Sequence, residues 1–285
     1  MFFFFNLNHN GEAKEMDEAK TKLIEIFRTK IKGKAPDVRG RNERHDGRYG
    51  HWLEQQFGVS SNGYNAPDLW GYELKNETTS KTTFGDWSAN QYIFKDSAFA
   101  AVFAGRDVLT KRNSFLRIFG KPNEEKGGRY SWSGSPCPKI GHYNVFGQIL
   151  SIERNGDIVA LYSYSQDKRL YKASVVPPEL HVDNLVLARW YGRVSPTSKR
   201  ADKCLKAKLE DKYNDKGWFT CKKDAYGRYY KICFGLPMTY DNWLDLVRQG
   251  IVFFDSGMYE TNARPYSEWR ANNNFWDSLI VEEYE

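Results

Sequence analysis

The sequence predicts an α/β protein, in which helical and strand patterns alternate along 285 residues. Three stretches carry that prediction. Apolar residues at helical spacing run through residues 12–33, and apolar residues surround a short strand within residues 66–75. Stretches in which apolar and polar residues alternate flank Asn155-Gly156, a pair typical of β-hairpin turns. A chain of this length can bury a sizeable core, as one large domain or one domain with two lobes.

Composition narrows the class of protein. Lys plus Arg total 42 against 36 Asp plus Glu, a net charge of +6. This modest excess fits a polyanionic partner, although a solvated surface would account for it equally. No run of about 20 apolar residues exists, so we expect no membrane-spanning helix. Four cysteines without zinc-type spacing and a start without a basic leader favour free thiols and a cytoplasmic location.

The first third of the chain predicts two helices joined by a basic loop. The helix over residues 12–33 is followed by Lys and Arg residues up to Arg48, which could contact phosphates or simply be solvated. Residues 46–58 predict a second, short helix that ends at Gly58. Its apolar residues face the core, which leaves Glu54 on another face.

The strongest chemical signal lies in the strand that follows. Pro67 marks a bend before Asp68, and because side chains alternate along a strand, Glu73 and Lys75 share one face. Two carboxylates and one ammonium therefore converge where a buried strand begins. Carboxylate and carbonyl oxygens are ligands for Mg²⁺, and a neighbouring lysine can orient or deprotonate a water. The pattern predicts metal-assisted phosphodiester hydrolysis.

The Glu-x-Lys pair by itself is a weak signal, because it also begins at Glu12, Glu18, Glu124 and Glu210. Only the copy at Glu73 has a Pro-Asp pair just upstream and apolar neighbours. The alternative is an ion pair at a strand edge, which contributes about 0–1 kcal/mol.

The order of features around this strand resembles the MvaI/BcnI family of type II restriction endonucleases. A helix carrying Glu54, a turn rich in Gly and Asn, Pro67-Asp68 and Glu73-Leu74-Lys75 follow one another as in that family. The chain is similar, more distantly, to the nicking enzyme MutH, and both belong to the PD-(D/E)XK superfamily. The resemblance implies a mixed sheet flanked by helices, with two lobes that form a DNA cleft.

The resemblance also implies roles for single residues. Asp68, Glu73 and the Leu74 carbonyl would hold Mg²⁺, Lys75 would position the attacking water, and Glu54 would support the ion or the water. Double-stranded DNA would be cut to leave 5′-phosphate ends. A monomer is implied, together with a cognate DNA methyltransferase that acts on the same site.

The middle of the chain predicts several further elements. Residues 76–88 indicate a loop or short hairpin anchored by Phe84 and Trp87, residues 93–103 a strand, and residues 110–119 a helix. Lys95 is a candidate second cation near the scissile phosphate, or a surface lysine.

Residues 127–136 combine glycines, hydroxyls and aromatics in a loop suited to DNA contact through Arg129, Ser131 and Ser133, or in an ordinary tight turn. The remaining predicted elements are strands at 143–153, 157–164, 185–190, 218–223 and 229–234, a basic helix within 195–213, and a helix at 241–249.

The last candidate segment, residues 254–274, is predicted to be a polar loop that is rich in Asn and contains two arginines. Arginine can bond both acceptors of a guanine edge, at about 1–3 kcal/mol per good pair. Arg264 and Arg270 best match the guanine-reading arginines of MvaI/BcnI-like enzymes, with Arg248 as an alternative. Structural pairing of these arginines with Asp255 or Glu268 is the other interpretation.

The predicted organisation is a catalytic lobe over residues 1–125 and a DNA-recognition lobe over residues 126–285. Two other functions stay open: a MutH-like strand-nicking repair endonuclease and a non-catalytic DNA-binding protein. A glycan-acting protein is a weaker idea, since Lys75 beside the acids fits it poorly.

Overall fold

The computed structural model describes residues 17–37, 48–59, 65–76, 78–197 and 203–285. Most of the predicted basic loop before Arg48 and the start of the predicted basic helix after Ser195 lie outside these residues.

The described α-helices are α1 (Glu18–Ile26), α2 (Arg48–Phe57), α3 (Val108–Phe119), α4 (Lys172–Val175), α5 (Leu205–Tyr213), α6 (Tyr240–Arg248) and α7 (Asn273–Ser278). A π-helical turn, Phe27–Ile31, extends α1, and short 3₁₀ turns lie at Ile93–Lys95, Ser97–Phe99, Glu124–Lys126 and Pro178–Leu180. The caps follow local chemistry: Asp107 and Thr239 accept backbone N–H bonds at the starts of α3 and α6.

The described strands are β1 (Tyr72–Lys75), β2 (Lys81–Asp86), β3 (Gln91–Tyr92), β4 (Lys121–Asn123), β5 (Arg129–Ser131), β6 (Phe146–Ile152), β7 (Ile158–Asp167), β8 (Leu185–Trp190), β9 (Gly217–Lys223), β10 (Tyr229–Gly235), β11 (Phe253–Ser256), β12 (Ser267–Asn272) and β13 (Ile280–Tyr284).

The sheet that carries the predicted motif is mixed and has the order β1-β9-β10-β13. β1 runs parallel to β9, with Glu73 beside Trp218, whereas β10 is antiparallel to both β9 and β13. Helices pack on this sheet, so the predicted α/β class with a mixed sheet flanked by helices is confirmed.

The other sheets have the orders β11-β12-β2, β3-β8-β7-β6 and β4-β5. All four sheets of the described residues combine strands from both sides of the predicted boundary at residues 125 and 126. Chain order therefore does not separate the sheets into the two predicted lobes.

Two apolar clusters occupy opposite faces of β1. Tyr72 and Leu74 pack with the buried residues of α1 and α2. The larger cluster includes Phe84 and Tyr213, which lie on the side of Glu73 and Lys75. The two-residue alternation of β1 thus sends its charged residues toward α5 and its apolar residues toward α1 and α2.

Four predicted elements differ from the structure. The predicted polar loop at residues 254–274 contains most of β11 and all of β12, because Ser267, Trp269 and Ala271 are buried at the two-residue spacing of a strand. Residues 93–103 form 3₁₀ turns rather than a strand, because Asp96 accepts the Ala98 N–H and so caps a turn. Residues 81–86 form β2 where a loop or short hairpin is predicted. The basic helix begins only at Leu205, after Cys204. Within the described residues, no helix is long and apolar enough to cross a membrane.

Candidate active site

A two-residue turn brings the first acid of the motif next to the second. The Leu69 N–H donates to the Tyr72 carbonyl at 3.0 Å, and the Tyr72 N–H donates to the Leu69 carbonyl at 2.8 Å. The residues between them, Trp70 and Gly71, both have positive φ, +48° and +90°. This is the type I′ hairpin turn, whose twist suits the flanking chain. Asp68 thereby lies across from Glu73 at the base of the turn.

Asp68 is held in a setting that opposes its ionisation. Its Oδ2 accepts the Leu74 N–H at 3.0 Å. Burial, followed by the charge of Glu73, raises the pKa of Asp68 from 3.8 to about 6, although Lys212 and Lys75 act in the opposite direction. Two carboxylates placed this close favour either a shared proton or a cation between them.

Glu73 is buried, with 2% of its surface exposed, and is paired twice. Its Oε1 lies 2.8 Å from Lys75 Nζ and 2.6 Å from Lys212 Nζ. Burial acts to raise the pKa of Glu73, but the two lysines outweigh it and hold that pKa below its ordinary value. Glu73 is therefore an ionised carboxylate inside the protein.

Lys75 reaches the site from the same face of β1. Its ammonium lies 5.2 Å from the centre of the Tyr213 ring and 3.5 Å from the Phe84 carbonyl. Tyr213 donates its own hydroxyl to the same carbonyl at 2.8 Å. The buried ring and strand fix Lys75 beside Glu73, where an ammonium can orient a water or a phosphate oxygen.

The donor set fits a divalent cation of the magnesium type. Glu73 Oε2 is buried and accepts no hydrogen bond from any described residue, so a buried acceptor is left for a further ligand. Within the described chain, no three His, Cys, Asp or Glu side chains are close enough to share an ion. Two carboxylates would then act with a backbone carbonyl, waters and substrate oxygens, which is the usual pattern for Mg²⁺.

Glu54 is not brought to this site. It lies on α2, whose buried residues pack on the Tyr72 and Leu74 face of β1. Its Oε2 is 3.0 Å from His51 Nδ1, and 37% of its side chain is exposed. The predicted apolar face of the helix is confirmed by the burial of Trp52 and Phe57, and that packing turns Glu54 away from Glu73.

Sequence reasoning missed Lys212, which lies 139 residues from its partner Glu73. A signal for it does exist in the sequence. Leu205, Leu209 and Tyr213 recur every four residues and are fully buried, so α5 has one inward stripe. Lys212 borders that stripe, whereas Lys206 is 46% exposed.

The two predicted recognition segments meet in space. Arg129 Cζ lies 3.7 Å from the centre of the Tyr259 ring, and Ser131 forms a backbone bridge to Tyr259. The Tyr130 N–H donates to Glu260 at 2.8 Å, and Arg117 pairs with Glu260 at 2.8 Å. These contacts fix the loop between β11 and β12 onto α3 and β5.

Arg264 is exposed on that loop, and no described residue pairs with its guanidinium. Only its backbone is held, through an N–H bond to Asn262 at 3.0 Å. Arg270, by contrast, lies on β12 between Glu268 and Asp255. The structure thus favours the structural interpretation for Arg270, whose guanidinium forms ion pairs with both carboxylates.

The other candidate DNA contacts lie in different settings. The Ser131 residue is buried, with 6% exposure, and Ser133 is half-buried. Lys95 is exposed at the end of a 3₁₀ turn, with its ammonium 5.6 Å from the centre of the Tyr92 ring. Burial of Ser131 removes its hydroxyl from direct contact with a partner.

Comparison with known proteins gives a consistent set of relatives. Residues 31–284 match the sequence model of a family described as LlaMI restriction endonuclease. The type II restriction enzyme ScrFI of Lactococcus lactis subsp. cremoris is 60% identical over 268 residues, which cover 94% of this chain and 99% of that protein.

Among solved structures, the complex of restriction endonuclease MvaI with its cognate DNA substrate aligns with a TM-score of 0.56 at 16% identity. The alignment covers 94% of this chain and 98% of the MvaI chain. At this identity the likeness concerns the fold, and it agrees with the MvaI-like architecture predicted from the motif.

Proposed function

Because the chain belongs to the LlaMI restriction endonuclease family, we propose that Asp68, Glu73 and Lys75 form the centre of its DNA-cleaving site. It is a type II restriction endonuclease, which binds double-stranded DNA and hydrolyses it at specific sites. The observation that carries the proposal for the site is the buried Glu73 carboxylate, which pairs with Lys75 and lies across the turn from Asp68, while no described residue donates a hydrogen bond to its Oε2.

The proposed metal is Mg²⁺, held by Asp68, Glu73 and the Leu74 carbonyl. When bound, the ion supplies a positive charge that polarises the scissile phosphate and lowers the pKa of a bound water. Glu54 has no place in this proposal, since its side chain pairs with His51 on the other side of β1.

The protein's own groups then have separate tasks. Lys75 holds the attacking water in line with phosphorus, because its ammonium is fixed by Glu73 and the Tyr213 ring. Asp68 holds the ion when its own carboxylate is ionised, and the proton of the attacking water passes to solvent. The proposed products carry 5′-phosphate and 3′-hydroxyl ends.

Base recognition is proposed for Arg264 and its loop. The residue is exposed, none of the described residues pairs with its guanidinium, and the contact of Arg129 with the Tyr259 ring anchors the loop. An anchored loop that presents an exposed arginine suits a guanine edge in the major groove. We further propose that the enzyme acts in the cytoplasm as a monomer, beside a cognate methyltransferase that protects the same sites.

Digestion of a supercoiled plasmid tests this function. With Mg²⁺ we expect discrete linear fragments, and sequencing of their ends should give one shared site with 5′-phosphates. With EDTA no fragment should form. Open circles without linear product would favour a MutH-like nicking enzyme instead, and intact plasmid under all divalent cations would favour a non-catalytic DNA-binding protein.

A further inference from the structure

Two lysines hold one carboxylate oxygen at the centre of the site. Lys75 comes from β1 itself, and Lys212 comes from α5, at 2.8 Å and 2.6 Å from Glu73 Oε1. The side chain of Glu73 is 3% exposed and that of Lys212 is 18% exposed. An ion pair this sheltered is not weakened by solvent as a surface pair is.

The charges of the site balance without any metal. The ionised Asp68 and Glu73 contribute two negative charges, and Lys75 with Lys212 contributes two positive charges. A divalent cation that binds among all four groups therefore adds an uncompensated charge of +2. Its approach to Glu73 is opposed by an ammonium already in contact with that carboxylate.

The two lysines are not equivalent in how firmly they are placed. Lys75 is buried, with 7% exposure, beside the Tyr213 ring and the Phe84 carbonyl. Lys212 extends from the last turn of α5 and retains more exposure than Lys75. A side chain in that position can move toward solvent when a competing cation arrives, whereas Lys75 has no equivalent freedom.

We propose that Lys212 is a positioning residue that holds Glu73 in the metal-free enzyme and must give way before a divalent cation binds. The proposal rests on the metal site proposed above. In the resting enzyme Lys212 holds the buried carboxylate in place through its contact with Oε1. After displacement its ammonium is available to the negative phosphate that accompanies the metal. Lys212 thus weakens loading of metal onto the enzyme when no DNA is present.

The test measures metal affinity of the full chain without DNA, so it does not depend on cleavage. Mn²⁺ is titrated into the protein while electron paramagnetic resonance follows the free ion. Lys212→Met keeps the apolar stem and removes the charge, and it should bind Mn²⁺ roughly tenfold more tightly than the wild type. Lys212→Arg keeps the charge and should remain within about twofold of the wild type.

Two further variants distinguish an error in the proposed metal site from an error in the role of Lys212. Lys206→Met removes a charge from the same helix at an exposed position, and it should leave Mn²⁺ affinity unchanged. Asp68→Asn should abolish binding at this site; unchanged binding there would reject the proposed metal site itself, and with it the role of Lys212. If Asp68→Asn abolishes binding but Lys212→Met binds no more tightly than the wild type, the Lys212 proposal alone is overturned. An equal gain in Mn²⁺ affinity in Lys206→Met would also overturn the Lys212 proposal, because the gain would then come from the lower net charge of the protein.

Thermal unfolding checks that Lys212→Met is folded and gives a second measure of its Mn²⁺ binding. Metal-free Lys212→Met should melt cooperatively at a lower temperature than the wild type, because Glu73 keeps only Lys75 as a partner. Added Mn²⁺ should raise its melting temperature by more than it raises that of the wild type. A smaller rise than in the wild type would contradict the proposal.

Discussion

Asp68 and Glu73 are carboxylates at the base of one turn, yet their surroundings shift their pKa values in opposite directions. Burial and the charge of Glu73 raise the pKa of Asp68 to about 6. Two lysines overcome the burial of Glu73 and lower its pKa. The difference arises because both lysines contact Glu73 directly, while Asp68 accepts a neutral backbone N–H. Glu73 is therefore favoured in its charged form, whereas Asp68 changes its charge near pH 6.

This contrast predicts a pH dependence of stability. The pKa of Asp68 is raised on folding, so its protonated form stabilises the fold below about pH 4, and that contribution is lost as pH rises through 6. Asp68→Asn removes the titration. In EDTA, the free energy of unfolding of Asp68→Asn relative to the wild type should increase between pH 4.5 and 7, by about 2 kcal/mol. Urea unfolding measures this difference, and a value independent of pH would contradict it.

At the residue scale, the sequence was informative where groups are close in the chain. Asp68, Glu73 and Lys75 lie within eight positions, and strand alternation with a bend is enough to gather them. Lys212 belongs to the same cluster but depends on how α5 packs against β1. For Glu54, the family resemblance implies a role in the site. The apolar face of α2 packs on the Tyr72 and Leu74 side of β1, however, and Glu54 pairs with His51 instead.

At the scale of elements, the turn from Leu69 to Tyr72 determines how the acids face each other. The sequence predicts an extended strand here, whereas the chain reverses over Trp70 and Gly71, both with positive φ. Glycine tolerates that conformation, but an aromatic residue adopts it only at a cost. A Cβ added at Gly71 would also meet the Asp215 carboxylate.

Gly71→Ala should therefore disturb the site as well as the fold. We expect a loss of about 1–2 kcal/mol in the free energy of unfolding and a larger, at least tenfold, loss of cleavage as Asp68 shifts from Glu73. Gly250→Ala is the matched control, since Gly250 has φ +70° with open space around it. It should lose about 1 kcal/mol and keep its cleavage rate. Equal effects of the two variants on cleavage would show that the turn geometry does not matter.

Elements with local signals were predicted within a few residues. Gly156 adopts the positive φ expected of a hairpin turn, and Leu185–Trp190 is a strand with the predicted bounds. The stretch 93–103 was predicted wrongly because its apolar run suits a strand or a buried turn equally. The side chain of Asp96 favours the turn, because it accepts the Ala98 N–H.

At the scale of the whole molecule, sheet pairing over long sequence distances assembles both the site and the surface proposed to read DNA. β1 is completed by β9, and β2 pairs with β12, so the start and the end of the chain share two sheets. The sequence predicts β1 and β9 but neither β2 nor β12, and it contains no local signal for these pairings. This is why a lobe boundary by chain order, at residues 125 and 126, does not coincide with the sheets.

The same architecture separates two arginines that sequence reasoning treated alike. Arg264→Ala should keep stability within about 0.5 kcal/mol and reduce site-specific cleavage about 10- to 100-fold, as one base contact of 1–3 kcal/mol is lost. Arg270→Ala leaves Asp255 and Glu268 without their shared partner and should cost about 3 kcal/mol or more of stability. Thermal unfolding and plasmid cleavage, measured on both variants, distinguish them. A stability loss in Arg264→Ala as large as that in Arg270→Ala would contradict the assignment.

The central claim is that the buried carboxylate of Glu73 serves divalent-metal-dependent cleavage. The most direct measurement compares Glu73→Gln with the exposed-site control Glu125→Gln, scoring plasmid cleavage in Mg²⁺ and DNA binding by gel shift in the same preparations. We expect Glu73→Gln to bind DNA but to cleave it about 10³-fold more slowly or worse, and Glu125→Gln to match the wild type. Cleavage by Glu73→Gln at the wild-type rate would contradict it.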